Sequence, residues 1–251
     1  MPTGGSSVFS NRSIGTGMIR EAIILAGGLG TRLREVVADI PKCLAPVAGK
    51  PFLHYVIHDL LQQGVQHVII AAGYKHELIE AFMAANYPNL DYSVHIEKEL
   101  LGTGGAIRSC CPYIRGEHAI VLNGDTLFQV PLEELTSVHT RNNAICTLAL
   151  KPMAQFDRYG AVRVNEQQRV IAFEEKQFRE EGLINGGVYA LNIPRFMAWM
   201  PEGVSSFEKA FLEPQATAGN LAACISDTYF IDIGIPADFE KAQHDFQQFS
   251  S

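Results

Sequence analysis

No stretch of the 251-residue chain approaches the ~18 consecutive apolar residues of a membrane-spanning helix; the longest runs, such as Val68 to Ala72, are strand-sized. A basic surplus is missing as well, with 20 Lys and Arg against 27 Asp and Glu and a formal net charge of −7. A chain built to hold nucleic acid would show the opposite balance. Membrane and nucleic acid are therefore set aside as partners, and any anion must meet a local cluster of positive groups. The five cysteines form no CxxC pair and the start of the chain carries no apolar signal region, which implies reduced thiols and a cytoplasmic setting. Residues 1–18, rich in Gly, Ser and Thr, read as a flexible tail, with Met18 as an alternative start. Hydrophobic residues at 47% against 19% charged exclude intrinsic disorder.

What is present is an alternation of strand-like and helix-like segments over the first 150 residues. Ala22 to Ala26 is a short apolar run ended by two glycines, as a buried parallel strand is. Pro51 opens a helix carrying Phe52, Leu53, Val56, Ile57 and Leu60, and Gly64 stops it. Val65 to Ala72 is the next strand, and Leu78, Ile79, Phe82 and Met83 form a helical stripe before Pro88. Tyr92 to Ile96 and Ala119 to Leu122 complete the strands, with Gly102, Gly104 and Gly105 leading into a helix over Ala106 to Cys111. Beyond about residue 145, strand-like pieces crowd together (145–150, 161–164, 169–174, 186–191), which predicts antiparallel additions to the same sheet or a small cap over it. Helices near 194–200 and 206–213, a strand pair near 221–233 and a final helix with Phe239, Ala242, Phe246 and Phe249 on one face close the chain. The fold class is α/β, with a single domain over 19–251, a parallel sheet and helices on both faces.

Chemistry concentrates at strand ends. Ala26-Gly27-Gly28-Leu29-Gly30-Thr31-Arg32-Leu33 follows the first strand, where clustered glycines can turn several N–H groups toward one anion. It is neither a Walker A loop nor a complete G-x-G-x-x-G. Lys42 follows Pro41, suited to delivering an ammonium to a phosphate, though alone it is an ordinary surface charge. Asp125 ends Asn123-Gly124-Asp125 at the fourth strand, and Asp232 lies between Ile231 and Ile233 in a late one. Two such carboxylates could hold one Mg²⁺, while Asp125 alone is equally a turn or cap residue. His54 and His58, four apart but without a following Glu, read as surface histidines.

In this order, GGLGTRL, PK, LGTGGA, NGD, EEK, NGGVY and DIG resemble the sugar-1-phosphate nucleotidyltransferases, over residues from about 20 to 245. The resemblance implies a Rossmann-like three-layer α/β/α mixed sheet of the nucleotide-diphospho-sugar transferase type, its nucleotide part over about 20–145 and its sugar part over about 146–235. By that likeness Gly27, Gly28, Gly30 and Thr31 would cradle a nucleoside triphosphate, Gly102 and Thr103 would meet its base and ribose, and Leu25, Ala26, Asn123 and Gly124 would also bind the nucleotide. Arg32 and Lys42 would be catalytic, contacting the phosphates of both reactants. Glu175, Lys176 and Asn185 would hold a sugar 1-phosphate, with Glu174 an open alternative to Glu175, and Asp125 and Asp232 would hold Mg²⁺. Cys43 departs from the proline that many relatives carry after the Pro-Lys pair. Among the branches, REVVADIPKCLAPVAGKPFLHYV, GYKHELI and LGTGGAI most resemble the guanylyltransferases of D-glycero-α-D-manno-heptose 1-phosphate, and by that likeness alone the product would be GDP-heptose. Mannose 1-phosphate guanylyl transfer and short uridylyltransferases for N-acetylmuramate or glucose 1-phosphate are the alternatives. A non-catalytic regulatory subunit that binds nucleotide-sugar is the alternative of another class, and a homodimer is the assembly to look for.

Overall fold

Buried parallel strands must be apolar on both faces, and the chain obeys this along its central strands. The computed structural model describes residues 17–28 and 40–247. Its first half contains β1 (Glu21–Leu25), β2 (Pro46–Val47), β3 (Lys50–Pro51), α1 (Phe52–Gln62), β4 (His67–Ala72), α2 (His76–Asn86), β5 (Asp91–Ile96), α3 (Gly102–Cys110), β6 (His118–Asn123), β7 (Thr126–Phe128) and α4 (Leu132–Arg141). The second half contains β8 (Cys146–Phe156), β9 (Val162–Val164), β10 (Val170–Phe173), β11 (Arg179–Asn192), α5 (Ile193–Trp199), α6 (Glu213–Thr217), β12 (Leu221–Ile225), β13 (Phe230–Asp232) and α7 (Pro236–Gln247). A π-helical turn over Glu208–Leu212 leads into α6.

Seven strands form one sheet in the order β12-β8-β11-β6-β1-β4-β5. Its strands are parallel except β11, which runs against both neighbours, so the sheet is mixed. Alternation along each strand feeds two cores. Ile24, Val68, Ile70 and Leu122 face one side with α1, α2, α4 and α7, while Ile23, Ile69, Val121 and Leu148 face the other with α3, α5 and α6. Helices on both faces of one sheet are the three-layer arrangement that the alternation predicted.

Helix α1 buries Phe52, Leu53, Val56, Ile57 and Leu60, the expected stripe, and ends where Gly64 adopts φ +88°. Helix α3 starts at Gly102 rather than Ala106. Its glycines are inside the helix because the segment 203–207 lies against them: a Cβ at Gly102 would meet the Ser205 carbonyl at 2.6 Å, and one at Gly105 the Gly203 carbonyl at 2.5 Å. Tertiary contact here overrides poor helix propensity. The strand pair expected at 221–233 does not form, because β12 pairs with β8 and β13 with β7. Helix α4, unanticipated, buries Leu132, Leu135 and Val138. In α7, Phe239, Ala242 and Phe246 are buried as expected. Phe249 and most of the 1–18 tail lie outside the described residues.

Candidate active site

Ligands of open α/β sheets bind beyond the carboxyl ends of the strands. A cavity of about 990 Å³ opens there, beyond β1 and β6. Leu25, Ala26, Gly27 and Gly28 line it from β1, Asn123 and Asp125 from β6, and Gly102 and Thr103 from α3. Lys42, Lys176 and Asp232 complete the sequence-predicted residues that converge on it. Gly30, Thr31 and Arg32 lie outside the described residues.

Three predicted residues are placed differently. Gly124 backs the cavity, its N–H donating to the Leu25 carbonyl at 2.8 Å, and a side chain there would press on that carbonyl and on Cys43. Asn185 donates from Nδ2 to the Tyr189 hydroxyl at 2.8 Å and accepts from the Gly187 N–H at 3.1 Å, so its amide fastens a bulge in β11. Glu175 is not among the cavity-lining residues. Neighbouring Glu174 is tied to Arg163 at 2.8 Å and Arg179 at 2.5 Å. Thr103 accepts from the Phe207 N–H at 2.9 Å and donates to Glu208 at 3.0 Å, so it also anchors the segment that packs on α3.

The charged centre is compact. Lys42 stands on a 3₁₀ turn pinned by Cys43, which is 3% exposed. Burial, with the Asp125 charge beside it, pushes the Cys43 thiol up to about 12, so this residue is an apolar anchor and not a nucleophile. The Lys42 ammonium donates to Asp125 Oδ2 at 2.5 Å and lies 3.7 Å from Asp232 Oδ1. Asp125 and Asp232 come together because β7 and β13 pair, with Asp232 opposite Thr126 and the Ile233 N–H on the Asp125 carbonyl at 3.0 Å. Burial and the Asp125 charge raise the Asp232 carboxyl, against the opposing pull of Lys42 and the Gly234 N–H.

Sequence reasoning missed Glu97, Arg158, Tyr159, Glu208 and Asp238, all of which line the cavity. Glu97 directly follows β5, as Asp125 follows β6, so the same rule of carboxylates at strand ends could have found it. It accepts from the Leu101 N–H at 3.2 Å, and a Cβ at Gly27 would meet its Oε1 at 2.7 Å. Burial raises its carboxyl above the usual range, with the Leu101 N–H opposing. Arg158 and Asp238 join at 2.8 Å across the cavity wall.

Such a cavity, at parallel strand tips and framed by glycines, cations and carboxylates, defines a phosphate-handling enzyme of the nucleotide-binding α/β class. Residues 21–248 match the Nucleotidyl transferase family, and the chain belongs to it. It is 48% identical over 229 residues to the D-glycero-alpha-D-manno-heptose 1-phosphate guanylyltransferase of Aneurinibacillus thermoaerophilus, spanning 91% of this chain and 99% of that one. Identity to the Campylobacter jejuni enzyme of the same description is 47%, over 87% of this chain and 96% of the relative. The crystal structure of HddC from Yersinia pseudotuberculosis superimposes with a TM-score of 0.82 at 37% identity, covering 91% of this chain and all of that one, and the same protein has been solved in complex with GMP-PN. No helix among the described residues is long and apolar enough to cross a membrane.

Proposed function

We propose that the chain transfers a guanylyl group from GTP to D-glycero-alpha-D-manno-heptose 1-phosphate, giving GDP-heptose and pyrophosphate. The observation that carries the reaction class is the meeting of Lys42, Asp125 and Asp232 at the glycine-framed cavity. A sugar 1-phosphate is largely dianionic at neutral pH, its second pKa being about 6. One of its oxygens attacks the α-phosphorus, the bond from that phosphorus to the bridging oxygen breaks, and pyrophosphate leaves with the electron pair. No general base is required, which accords with the lack of a Ser/His/Asp signature in the sequence. The protein's task is to hold two polyanions in line and to offset their charge. Lys42 and Lys176 supply cations from the cavity wall. Arg32, outside the described residues, keeps the phosphate-contacting role that the family resemblance implies, and Lys176, on the cavity wall, keeps its role toward the sugar phosphate, whereas Glu175 and Asn185 are not assigned one.

Glu97 supports guanine as the base. Guanine presents two adjacent donors, N1–H and N2–H, whereas uracil presents a single donor between two carbonyls. A carboxylate offers only acceptors, so it matches the first pattern and repels the second. Leu25, Leu100 and Ala106 give the same cavity apolar surface for the ring.

The family's usual divalent cation, which we take to be Mg²⁺, fits the donors present. Asp125 and Asp232 are hard oxygen ligands, and no group of three metal-binding side chains occurs among the described residues. Two carboxylates with substrate phosphates and water completing the shell is how Mg²⁺ is commonly held. Bound there, the ion would neutralise triphosphate charge and polarise the phosphoryl oxygens. The setting we infer is the cytoplasm, consistent with five buried free cysteines.

Pyrophosphate release measured with each nucleoside triphosphate against heptose, mannose, glucose and N-acetylmuramate 1-phosphates tests this reading. Release with GTP and heptose 1-phosphate in clear preference is expected. Release with no pair would refute it and favour a regulatory binding subunit.

A further inference from the structure

Lys42 is engaged where the proposed reaction needs it available. Its ammonium lies between Asp125 and Asp232, the carboxylates assigned to the divalent ion. We propose that Lys42 is the resident counter-ion of this pair: it weakens capture of a bare divalent ion and transfers to the phosphates when metal arrives together with nucleotide. The inference rests on Asp125 and Asp232 being the metal ligands.

The geometry makes the lysine's place a built one. The β7–β13 pairing and the bond from the Ile233 N–H to the Asp125 carbonyl fix the backbones of the two carboxylates, so only side-chain rotation is left to relieve their mutual repulsion. A third charge must offset them, and Lys42 is largely enclosed, its side chain only 16% exposed. Its seat depends on a missing side chain, since a Cβ at Gly234 would lie 2.9 Å from Lys42 Nζ and 2.7 Å from Asp232 Oδ1. The base of the lysine is anchored by buried Cys43 and by the Ala45 N–H on its carbonyl at 3.0 Å. A four-carbon stem of rotatable bonds carries the charge from that anchor, and a compact ammonium suits a change of anionic partner better than a planar fork does.

A divalent ion approaching alone must displace this ammonium from Asp125 and Asp232 without supplying an anion in exchange. An ion arriving with triphosphate brings that anion with it. Metal and nucleotide binding are thereby coupled, each strengthening the other by the same factor.

Titrating Mn²⁺ into the nucleotide-free full-length protein, followed by electron paramagnetic resonance, reads this directly. We expect weak binding by wild type and by Lys42→Arg, which keeps the charge. Lys42→Met and Lys42→Gln, the latter still able to donate to Asp125, should each bind Mn²⁺ at least about tenfold more tightly. A non-hydrolysable GTP analogue should tighten Mn²⁺ binding in wild type and do so far less in the two neutral variants. Unchanged Mn²⁺ affinity in both neutral variants, with Asp125→Asn still weakening Mn²⁺ binding beside the analogue, would overturn the counter-ion role and leave the metal pair standing. No effect of Asp125→Asn on Mn²⁺ beside the analogue would remove the metal pair itself, and the inference with it.

Discussion

Replacing Glu97 by Gln should change which nucleotide the enzyme prefers while leaving the fold intact. The carboxylate accepts from the Leu101 N–H, a bond that a glutamine oxygen can also accept. Its burial raises its carboxyl above the normal range, so an amide also removes a desolvation burden, and stability should stay level or rise slightly. Toward guanine the exchange does the opposite. One of two charge-assisted acceptors becomes an NH₂ donor facing a donor, and such bonds contribute ~1.5–3 kcal/mol, or roughly 10- to 150-fold. For uracil the same amide can pair with both a carbonyl and N3–H. We therefore expect kcat/KM for GTP to fall by about 10- to 150-fold, with UTP unchanged or improved. The assay is pyrophosphate release under subsaturating nucleotide at fixed heptose 1-phosphate. Wild type should also lose GTP affinity as the pH falls through the raised Glu97 titration, and the glutamine variant should not. A GTP-to-UTP ratio untouched by the substitution would refute the role assigned to Glu97.

Other outcomes follow from the same geometry. Asp125→Asn should lower turnover by about 100-fold or more at normal melting temperature, checked by activity and circular dichroism together, since Lys42 can still pair with Asp232. Gly102→Ala forces a side chain into φ +69° and to 2.6 Å from the Ser205 carbonyl, and urea unfolding should show a loss of ~2–4 kcal/mol. His139, held against His118 at 3.0 Å and Thr147 at 2.9 Å, is pushed down to about 3 by burial first and then by the charges of His118 and Arg195. The unfolded chain therefore binds the extra proton, so stability should decline as pH falls from about 6.5 toward about 3. Urea midpoints across that range, with His139→Gln flattening the slope, check it; a slope identical in the variant would count against this histidine.

The strand tips were legible because a doubly buried strand must be apolar throughout, and the glycines after Leu25 and before Asp125 mark where each run ends. Asp232 stood out because a charge within an apolar strand needs a partner. Helix α4 was harder to see, its Leu132, Leu135 and Val138 separated by Glu133, Glu134, Thr136 and Ser137. The glycines of α3 looked like a loop, because what makes them helical is the chain at Ser205, a hundred residues away. Arg158 and Asp238 escaped notice for a related reason: they share no motif, and only the docking of α7 brings them to one cavity; Glu97, at the end of β5, was open to the strand-end rule that picked out Asp125. Asn185 shows the reverse case, a residue conspicuous in sequence whose amide the fold spends on Tyr189 and Gly187.

Strand β11 carries a consequence for how substrates come and go. Its first half, Arg179 to Asn185, is bonded to the far end of β8, and its second half, Val188 to Asn192, is bonded to β6, with the bulge near Gly186 and Gly187 between. One unbroken backbone thus joins the far end of β8 to the central strand β6, and separating the two regions would break ladder bonds along β11. Enzymes that open like a jaw place a few pliant residues at the crossing; here the crossing is a rung of the main sheet. A continuous strand at this crossing leads us to expect that the rearrangements admitting reactants and releasing products fall in side chains and loops at the cavity rim and not across the sheet.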